Sequence, residues 1–494
     1  MSNPHQITQA GAYQLDTAEI ISYRIHGEEN EPYRMDIKGI ILTIEVIEDI
    51  FSPTLMGTIT VYDTQDVRTI LPITGMEKLN LKFSTPGTPG INAVEGDGYP
   101  FQIHKIEEVR VDEKNPKGQA YTIHFCSTES YTNGITRVFS AFDKPLETNV
   151  NTILRQKYQG LDTKKPLYYE PSRTNTKYVC PSLKPFSAIR QMAKYTQSAL
   201  YDNAGYLFYE THQGYFLRSF ESMMAMGGAI ARPEKWHYKY QVMNVRHHTV
   251  DVRPVRFDMR SVIKYDFTNP VSVLEGINAG QFASLLITHD AFYKKYKYHN
   301  YNYKEQFGKH FHTEHDNGKK PKDKMVIPEY KIDGLRALYE TPGSKHMLKS
   351  ETSKKHNQFE SADPASNFNL QHKISQIATI KNRNLDLLVY GNSLLIPGDI
   401  IRFDVPMMTP LGHDKKQEMN PYDSGRYLIT RVKHIISTSS GRYEQVLNCF
   451  KDSVQTPYPK EIDYKSTQDK VSKNANIYEE DKTILSTGGL LEYI

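Results

Sequence analysis

The chain has 494 residues, and its 61 lysines and arginines against 57 aspartates and glutamates give a formal net charge of +4. This length predicts three or four domains, and the near balance of charge argues against a dedicated nucleic-acid binder. Three cysteines are too few for a disulfide framework, which favours a reducing, cytosolic origin. No apolar run is long enough to span a bilayer, and the polar residues 1–9 predict no secretory signal, so we expect no direct membrane insertion.

The first part of the chain alternates between apolar and polar side chains. Residues 1–17 predict a flexible N-terminal arm. Residues 37–47 and 56–63 alternate cleanly, which is typical of half-buried strands. With further strands expected at 79–83, 101–110 and 120–126, residues 18–145 are predicted to form an antiparallel unit of five or six strands, a small barrel or sandwich.

The period of the apolar residues changes after residue 145. Leu146, Val150 and Ile153 share one helical face, and residues 185–198 carry a second apolar stripe at helical spacing. Two strands then flank residues 212–214, which predicts a hairpin. Residues 146–255 are therefore predicted to form an α+β insert domain.

The second half of the chain predicts another β-module over residues 256–455. A stretch near 305–367 is rich in Lys, His, Asn, Gly and Pro and poor in periodic apolar residues, which predicts a long loop within that module. Residues 456–494 are polar and charged but include an apolar patch. This composition predicts an extended C-terminal leash that docks onto a partner.

Two stretches more than three hundred residues apart resemble each other. The first consists of FQIHKI at 101–106 and YTIHFC at 121–126, and the second of YLITRV at 427–432 and YEQVLNC at 443–449. A glycine, an acidic residue and an alternating strand precede each of them. A repeat of this size predicts that segments 75–126 and 398–449 are two copies of one small β-domain, with Cys126 and Cys449 at matching buried positions.

His310, His312 and His315 are the only clustered residues of a metal-binding type. Zinc sites use histidines at such spacings, but with ordered flanking elements and further ligands. Because these three lie in the predicted loop, the competing interpretation is a solvated polar segment. We predict no metal site and no cofactor.

Residues 293–304 interleave tyrosines with lysines and contain no acidic side chain. Such a pattern can stack nucleobases and neutralise phosphates. The alternative is an edge strand protected by lysines, with tyrosines packed at a subunit contact. The balanced overall charge favours the alternative.

The sequence contains no recognisable catalytic arrangement. It has no P-loop, nucleophile elbow or metalloprotease motif, and no dinucleotide-binding glycine pattern after a strand. The adjacent pairs Glu107/Glu108 and Glu479/Glu480 would point to opposite faces of a strand, whereas acid–base catalysis needs carboxylates that converge. We therefore predict no catalytic residues and no enzymatic activity.

Four stretches carry a resemblance to a known family. They are residues 44–63, residues 125–145 with the helix that follows, the hairpin around 204–214, and residues 394–449. In pattern and order these resemble the baseplate hub proteins of contractile-tailed bacteriophages, which are related to the hub part of type VI secretion spike proteins. The resemblance implies a mainly β fold, with two similar tail-tube-like antiparallel β-barrel modules and an α+β insert.

The resemblance also implies a function. It implies a homotrimeric structural hub at the tail baseplate of a virion, assembled in the host cytoplasm. Its six modules would adapt the sixfold tail tube, or a tube-initiator protein, to a threefold central spike. The ring would enclose the channel for genome ejection, with the tape-measure protein and DNA only as passing cargo, and baseplate wedge proteins are further expected partners.

Two alternatives remain at the level of sequence. The first is the hub of a bacterial type VI-like or extracellular contractile injection system, which would have the same architecture. The second is a tail-associated wall-degrading enzyme. A lysozyme-like domain would need its own core with a positioned Glu and Asp, and no segment remains to hold one.

Deletion of residues 470–494 tests the predicted leash. Ile484, Leu485 and Leu490 are among its apolar side chains, and burial of each against a partner stabilises by roughly 1.5–3 kcal/mol. We expect the deletion to reduce spike attachment and particle yield in a tail-assembly assay. Unchanged attachment and yield would show that the leash is dispensable.

Overall fold

The computed structural model describes part of the chain, namely residues 7, 9–26, 31–111, 118–173, 175–194, 196–201, 205–225, 234–240, 255–269, 273–290, 294–314, 323–324, 344–348, 364–382, 384–407 and 419–456. Within these residues, no helix is both long and apolar enough to cross a membrane. The predicted leash lies outside the described residues from residue 457 onward, as does His315.

The first module is a sheet of antiparallel strands. Its strands pair in the order β2-β1-β5-β7-β8-β4-β3, and β6 pairs with β5. The bounds of its elements are β1 (Gln14–His26), β2 (Pro32–Asp36), a 3-10 helix (Lys38–Ile40), β3 (Ile41–Asp49), β4 (Met56–Asp63), α1 (Val67–Ile70), β5 (Lys78–Ser84), β6 (Ile91–Ala93), β7 (Phe101–Val111) and β8 (Gln119–Ser127).

This module has more strands than the sequence predicted. The sequence predicted β3, β4, β5, β7 and β8. It did not predict β1, β2 or β6. Residues 14–17, assigned to the arm, belong to β1. A bulge between Leu15 and Thr17 interrupts the alternation of β1, so its pattern does not read as a strand. The inward side chains of the module form one buried core that includes Ile44, Val46, Ile59, Val61, Ile123 and Phe125.

The insert is an α+β unit, as predicted. Its three-stranded sheet has the order β10-β13-β12, and β9 pairs with β11 in a separate ribbon. The hairpin turn uses Gly214, whose φ of 132° suits a residue without a Cβ. The elements are α2 (Thr128–Ile135), β9 (Ala141–Pro145), α3 (Leu146–Arg155), β10 (Leu167–Tyr169), β11 (Asn175–Val179), α4 (Pro185–Lys194), β12 (Tyr206–Thr211), β13 (Gly214–Ser219) and α5 (Phe220–Met224).

The two longer helices of the insert bury the faces that their apolar spacing predicts. Leu146, Val150 and Ile153 of α3 pack with Ile189 and Met192 of α4 in one core. Phe208 and Leu217 of the hairpin complete that core. The insert therefore has its own hydrophobic centre, separate from that of the first module.

A central segment, residues 273–382, occurs only once in the chain. It follows β14 (Trp236–Lys239), α6 (Val255–Asp258) and β15 (Val262–Asn269). Three of its strands form a small sheet of order β17-β16-β19, while β18 pairs with β24. Its elements are α7 (Val273–Asn278), β16 (Ala283–Asp290), β17 (Lys295–Asn302), α8 (Tyr303–Phe307), β18 (Asp323–Lys324), β19 (Ser344–Leu348) and α9 (Pro364–Asn382).

A long loop is predicted near 305–367, but the described parts of that stretch include regular elements: α8 ends within it at Phe307, β18 pairs with β24, and β19 pairs with β16. Tyr301, Tyr303 and Phe307 pack with Phe282 in a small apolar core. Gln371 of α9 donates hydrogen bonds to the backbone of both β16 and β17. The apolar residues are too widely spaced to show a period, yet the fold collects them into one cluster.

The second module closes on itself. Its strands pair in the order β14-β21-β22-β23-β20-β15, and a bridge between Lys239 and Ser261 joins the last strand to the first. The strand β14 comes from the segment predicted as insert. Leu387, Ile429 and Leu447 contribute to the buried core of this barrel. The remaining elements are β20 (Asn384–Tyr390), β21 (Ile400–Asp404), β22 (Gly425–Ser437), β23 (Arg442–Phe450) and β24 (Ser453–Val454).

The two copies of the sequence repeat have matching strand pairings. In each copy a short strand, β5 or β21, pairs with the first residues of a long strand, β7 or β22, which then forms a hairpin with β8 or β23. A bulge interrupts both hairpins at the same place, between Ile103 and Lys105 and between Ile429 and Arg431. The repeat is therefore one of strand order and register as well as of sequence.

The prediction that Cys126 and Cys449 occupy matching positions of the repeat is wrong by one residue. In the paired ladders the counterpart of Cys449 is Phe125, while Cys126 corresponds to Phe450. A shift of one residue on a strand moves a side chain to the opposite face, so the two thiols lie on different faces. Cys126, Cys180 and Cys449 are nevertheless all buried, as expected of small apolar residues.

Substitution of Gly57 by alanine tests the close approach of β3, β4 and β8. A Cβ at this position would lie 2.3 Å from Cζ of Phe125 and 2.4 Å from the backbone oxygen of Glu45. We expect Gly57→Ala to destabilise the protein by about 1–3 kcal/mol, because neither neighbour can move without disturbing the core. The matched control is Gly134→Ala on α2, where nothing lies within 4 Å. Thermal unfolding should show a lower midpoint for the first variant and an unchanged or slightly higher one for the second.

Candidate assembly interface

The two modules are joined through one pair of strands. Residues 43–49 of β3 pair antiparallel with residues 431–437 of β22, so the sheets of the two modules are continuous. Two ion pairs that involve arginine or lysine cross this joint. Arg431 Nη2 lies 2.7 Å from Asp49 Oδ2, and Lys433 Nζ lies 2.9 Å from Glu45 Oε2. The joint therefore combines backbone hydrogen bonds with complementary side-chain charge.

A fully buried carboxylate lies where the two modules and the insert meet. Glu48 of β3 is 2.8 Å from Nδ1 of His212 in the insert hairpin, and 3.4 Å from Nε2 of His434 in β22. Burial alone would raise the pKa of Glu48, but the two histidines outweigh it and lower the pKa to about 2. This contact ties three parts of the chain together through one charge.

A second buried ion cluster fixes the insert to the first module. Lys165 Nζ lies 2.6 Å from Glu129 Oε2 and 2.5 Å from Glu210 Oε1, and all three side chains are almost fully buried. Glu210 also accepts a hydrogen bond of 3.0 Å from the backbone N–H of Leu55. Burial lowers the pKa of Lys165, but the two carboxylates outweigh it and hold this pKa above its ordinary value. The cluster carries a cation with two anions, so removal of Lys165 would leave two buried carboxylates without a cation.

Among the strand edges of the modules that lack a strand partner in the described part of the chain, two belong to β7 and β15. The strand β7 pairs with β5 only through Phe101 and Gln102, which leaves residues 105–111 as the first open edge. The strand β15 pairs with β20 on one side and meets β14 only at Ser261, which leaves residues 263–269 as the second open edge. Val109, Val111 and Ile263 are exposed on these edges.

These open edges are the counterparts of the two strands that form the internal joint. Residues 105–107 of β7 correspond to residues 431–433 of β22, since both follow the same bulge, whereas a second bulge between Glu107 and Arg110 has no counterpart in β22. Likewise β15 corresponds to β3, because each is the next strand beyond the partner of the hairpin. Within the chain, the edge of β3 pairs with the edge of β22. The equivalent edges of β15 and β7 have no such partner among the described residues.

The structure places His310 and His312 in buried surroundings, so the interpretation as a solvated loop is wrong for them. His310 Nδ1 is 2.5 Å from Glu221 Oε1, and its Nε2 is 3.0 Å from Nδ1 of His372. His312 is held between Asp452 Oδ2 and the backbone oxygen of Phe307, each at 2.7 Å. Among the described residues, no group of three His, Cys, Asp or Glu side chains could hold a metal ion.

The tyrosine-rich segment forms an edge strand. Its residues 295–302 are β17, which pairs only with β16 within the described chain. Tyr296 and Tyr298 are exposed, whereas Tyr301 is buried and donates a hydrogen bond of 3.0 Å to Ser375 Oγ. This geometry agrees with the second interpretation of the sequence pattern, an edge strand rich in lysine and tyrosine.

The sequence interpretation missed both buried ion clusters. Glu48 carried a visible signal, because it shares the inward register of β3 with Ile44 and Val46. An acidic residue at an inward position requires a buried partner. Lys165 and Glu210 carried no such signal, since their neighbours in sequence do not distinguish them from surface charges.

No protein-family model matches this sequence, and no curated protein is similar to it in sequence. Solved structures are similar in fold. A tail protein from Neisseria meningitidis MC58 aligns with a TM-score of 0.50 at 8% identity, over 91% of this chain and 100% of that chain. At this identity the likeness establishes the fold alone. This chain has the fold of a tail protein, which confirms at the level of fold the resemblance drawn from the sequence.

Two further structures align with lower scores. A 43 kDa tail protein of prophage MuSo2 from Shewanella oneidensis aligns at a TM-score of 0.45 and 9% identity, over 88% of this chain and 98% of that one. A component of the Escherichia coli type VI secretion system aligns at 0.37 and 10% identity, over 91% and 79%.

Glu48→Gln tests the charge at the junction. The folded-state pKa of Glu48 is depressed, so its contribution to stability is present above its unfolded value near 4.5 and is lost as the pH falls toward 2. We expect the variant to have a lower urea midpoint than the wild type at pH 7, and the difference to shrink below about pH 4.5.

The matched control for this test is Glu45→Gln on the same strand. Glu45 is partly exposed and its ion pair with Lys433 lies at the surface, so we expect a change within about 0.5 kcal/mol. A difference between wild type and Glu48→Gln that stays constant from pH 7 to pH 3 would contradict the role given to the carboxylate.

Proposed function

We propose that this protein is a structural baseplate hub of a phage tail. It forms a homotrimer that adapts the sixfold tail tube to a threefold central spike and encloses the channel through which the genome is ejected. Its place is the tail baseplate of the virion, after assembly in the host cytoplasm. The fold shared with a tail protein supports this proposal.

The observation that carries the proposal is the reuse of one joint. Within the chain, β3 of the first module pairs with β22 of the second. The equivalent strands β15 and β7 present the same two kinds of edge to other molecules. In the proposed assembly, β15 of one copy pairs antiparallel with β7 of the next, as β3 pairs with β22. An exposed strand edge is a template for such pairing.

Repetition of one head-to-tail joint generates a ring when the rotation closes. Each chain supplies two modules, so three chains supply six modules around one axis. The number of copies comes from the family resemblance, and the open edges supply the means of closure. A closed ring leaves neither β7 nor β15 unpaired, which removes the liability of exposed edges.

The division of the chain explains how such a ring can join two symmetries. The two modules repeat the same strand order, so a trimer presents six similar surfaces to the tail tube or a tube-initiator protein. The insert and the central segment occur once per chain, so they present three equal surfaces to a central spike. The tape-measure protein and DNA pass through the lumen, and wedge proteins contact the outside.

Lysine substitutions on the first open edge test the trimer. We expect Val109→Lys with Val111→Lys to convert the trimer to a monomer, because charged side chains on an edge strand oppose pairing. The matched control is Ile135→Lys with Val179→Lys, since these two exposed apolar residues lie on the insert. The control should remain trimeric.

Native mass spectrometry of the full chain provides the measurement, and circular dichroism verifies that each variant is folded. A wild-type chain that is monomeric at assembly concentrations would contradict the trimer. A trimer that survives the lysine pair on β7 would contradict the edge joint.

A further inference from the structure

The joint between the modules places their cores on the same side of one sheet. Directly paired residues on neighbouring strands point to the same face, and Ile44 of β3 pairs with Ile436 of β22. Both lie in the core of the first module, together with Tyr443 of β23. The strands β15-β20-β23-β22-β3-β4-β8-β7 therefore form a continuous sheet with one face directed toward the cores.

The opposite face of this eight-stranded sheet is the wall face, defined by the side chains that point away from the cores. At the end of this face where β22 begins and β23 ends, Leu428 and Phe450 are covered by an apolar cluster that includes residues of the insert. Beyond that end it carries charged and other polar residues together with exposed or half-buried apolar ones, among them Ile47, Met56, Ile435 and Val446. In the proposed ring, three copies of this face would surround the lumen.

Charges of the two signs are equal in number on the wall face. Read from the strand registers, its acidic residues are Glu45, Asp49, Glu107, Asp266, Asp386 and Glu444. Its basic residues are Lys105, Arg110, Lys264, Arg431, Lys433 and Arg442. Threonines and a histidine separate them on β4 and β8.

Most of these cations have a carboxylate as a direct neighbour. Besides the two ion pairs of the joint, Lys105 Nζ lies 2.6 Å from Glu107 Oε1. Glu107 also lies 2.9 Å from His124 Nε2 through its other oxygen. Arg110 Nη2 lies 3.8 Å from Glu108 Oε2. Four of the six basic side chains are thus already engaged by an anion of this chain.

We propose that the wall face lines the channel as a surface that lets double-stranded DNA pass without binding it. The inference rests on the proposed function, because it needs the ring. DNA binding by proteins derives mainly from cations that replace condensed counterions on the phosphates. Four of the six cations would have to exchange a carboxylate partner for a phosphate, which weakens attraction, and the equal number of cations offsets the repulsion that the carboxylates would exert on DNA. The wall face therefore neither binds passing DNA tightly nor repels it strongly.

Removal of the partner carboxylates tests this inference. The variant Glu45→Gln, Asp49→Asn, Glu107→Gln unpairs Lys433, Arg431 and Lys105. The matched control Glu31→Gln, Asp143→Asn, Glu275→Gln makes the same change of charge at exposed sites away from the wall face. Binding of a short fluorescent DNA duplex to each full-length protein is measured by anisotropy at low and moderate salt, after native mass spectrometry.

We expect the wild type and the control to bind the duplex weakly and equally. The wall-face variant should bind at least about tenfold more tightly, with an affinity that falls steeply as salt rises. A trimeric wild type that binds as tightly as the wall-face variant would overturn this inference and leave the proposed hub intact. A variant and a control that gain affinity equally would also overturn it. A wild-type chain that does not trimerise would overturn the proposed function and the inference together.

Discussion

The pairing of β3 with β22 is the interaction on which the rest of the architecture depends. Each of these strands ends a module, and each satisfies the backbone groups of the other. Because the modules are copies, the same requirement recurs at β7 and β15, which the described chain leaves unmet. In the proposed ring, duplication of one small sheet supplies both the internal joint and the contact between copies, so the second contact needs no separate interface.

Buried charge determines how the insert sits on that joint. Glu48 binds a histidine from the insert and one from the second module, and Lys165 holds two carboxylates nearby. Buried ion pairs add little net stability, yet loss of one partner costs about 3–5 kcal/mol. Any other docking angle would separate these groups and incur that penalty. The clusters therefore select one arrangement of the three parts, and hydrophobic packing supplies most of the stability.

Sequence reasoning located the strands that alternate cleanly, such as β4, β7 and β8, and it identified the repeat. It missed β1 because a bulge breaks the alternation, and it assigned β14 to the insert because the residues of β21 with which β14 pairs lie 165 positions later in the chain. It interpreted residues near 305–367 as a loop, because an apolar residue such as Phe307 meets its partners only in three dimensions. The inward position of Glu48 could be inferred from the alternation of β3, whereas nothing in the sequence indicated the partners of Lys165. The local sequence pattern indicates which face of a strand is buried, whereas long-range contacts determine which residues that face meets.

The span of the internal joint has a consequence for synthesis. Asp49 and Arg431 are separated by 382 residues. At roughly 5–20 residues per second on the ribosome, β3 waits about 20–80 s before its partner strand emerges. During that time the edge of β3 that pairs with β22 in the complete protein has no partner strand from its own chain. Completion of the first sheet is thus a late event, controlled by translation, and truncated chains that lack β22 cannot complete the internal joint.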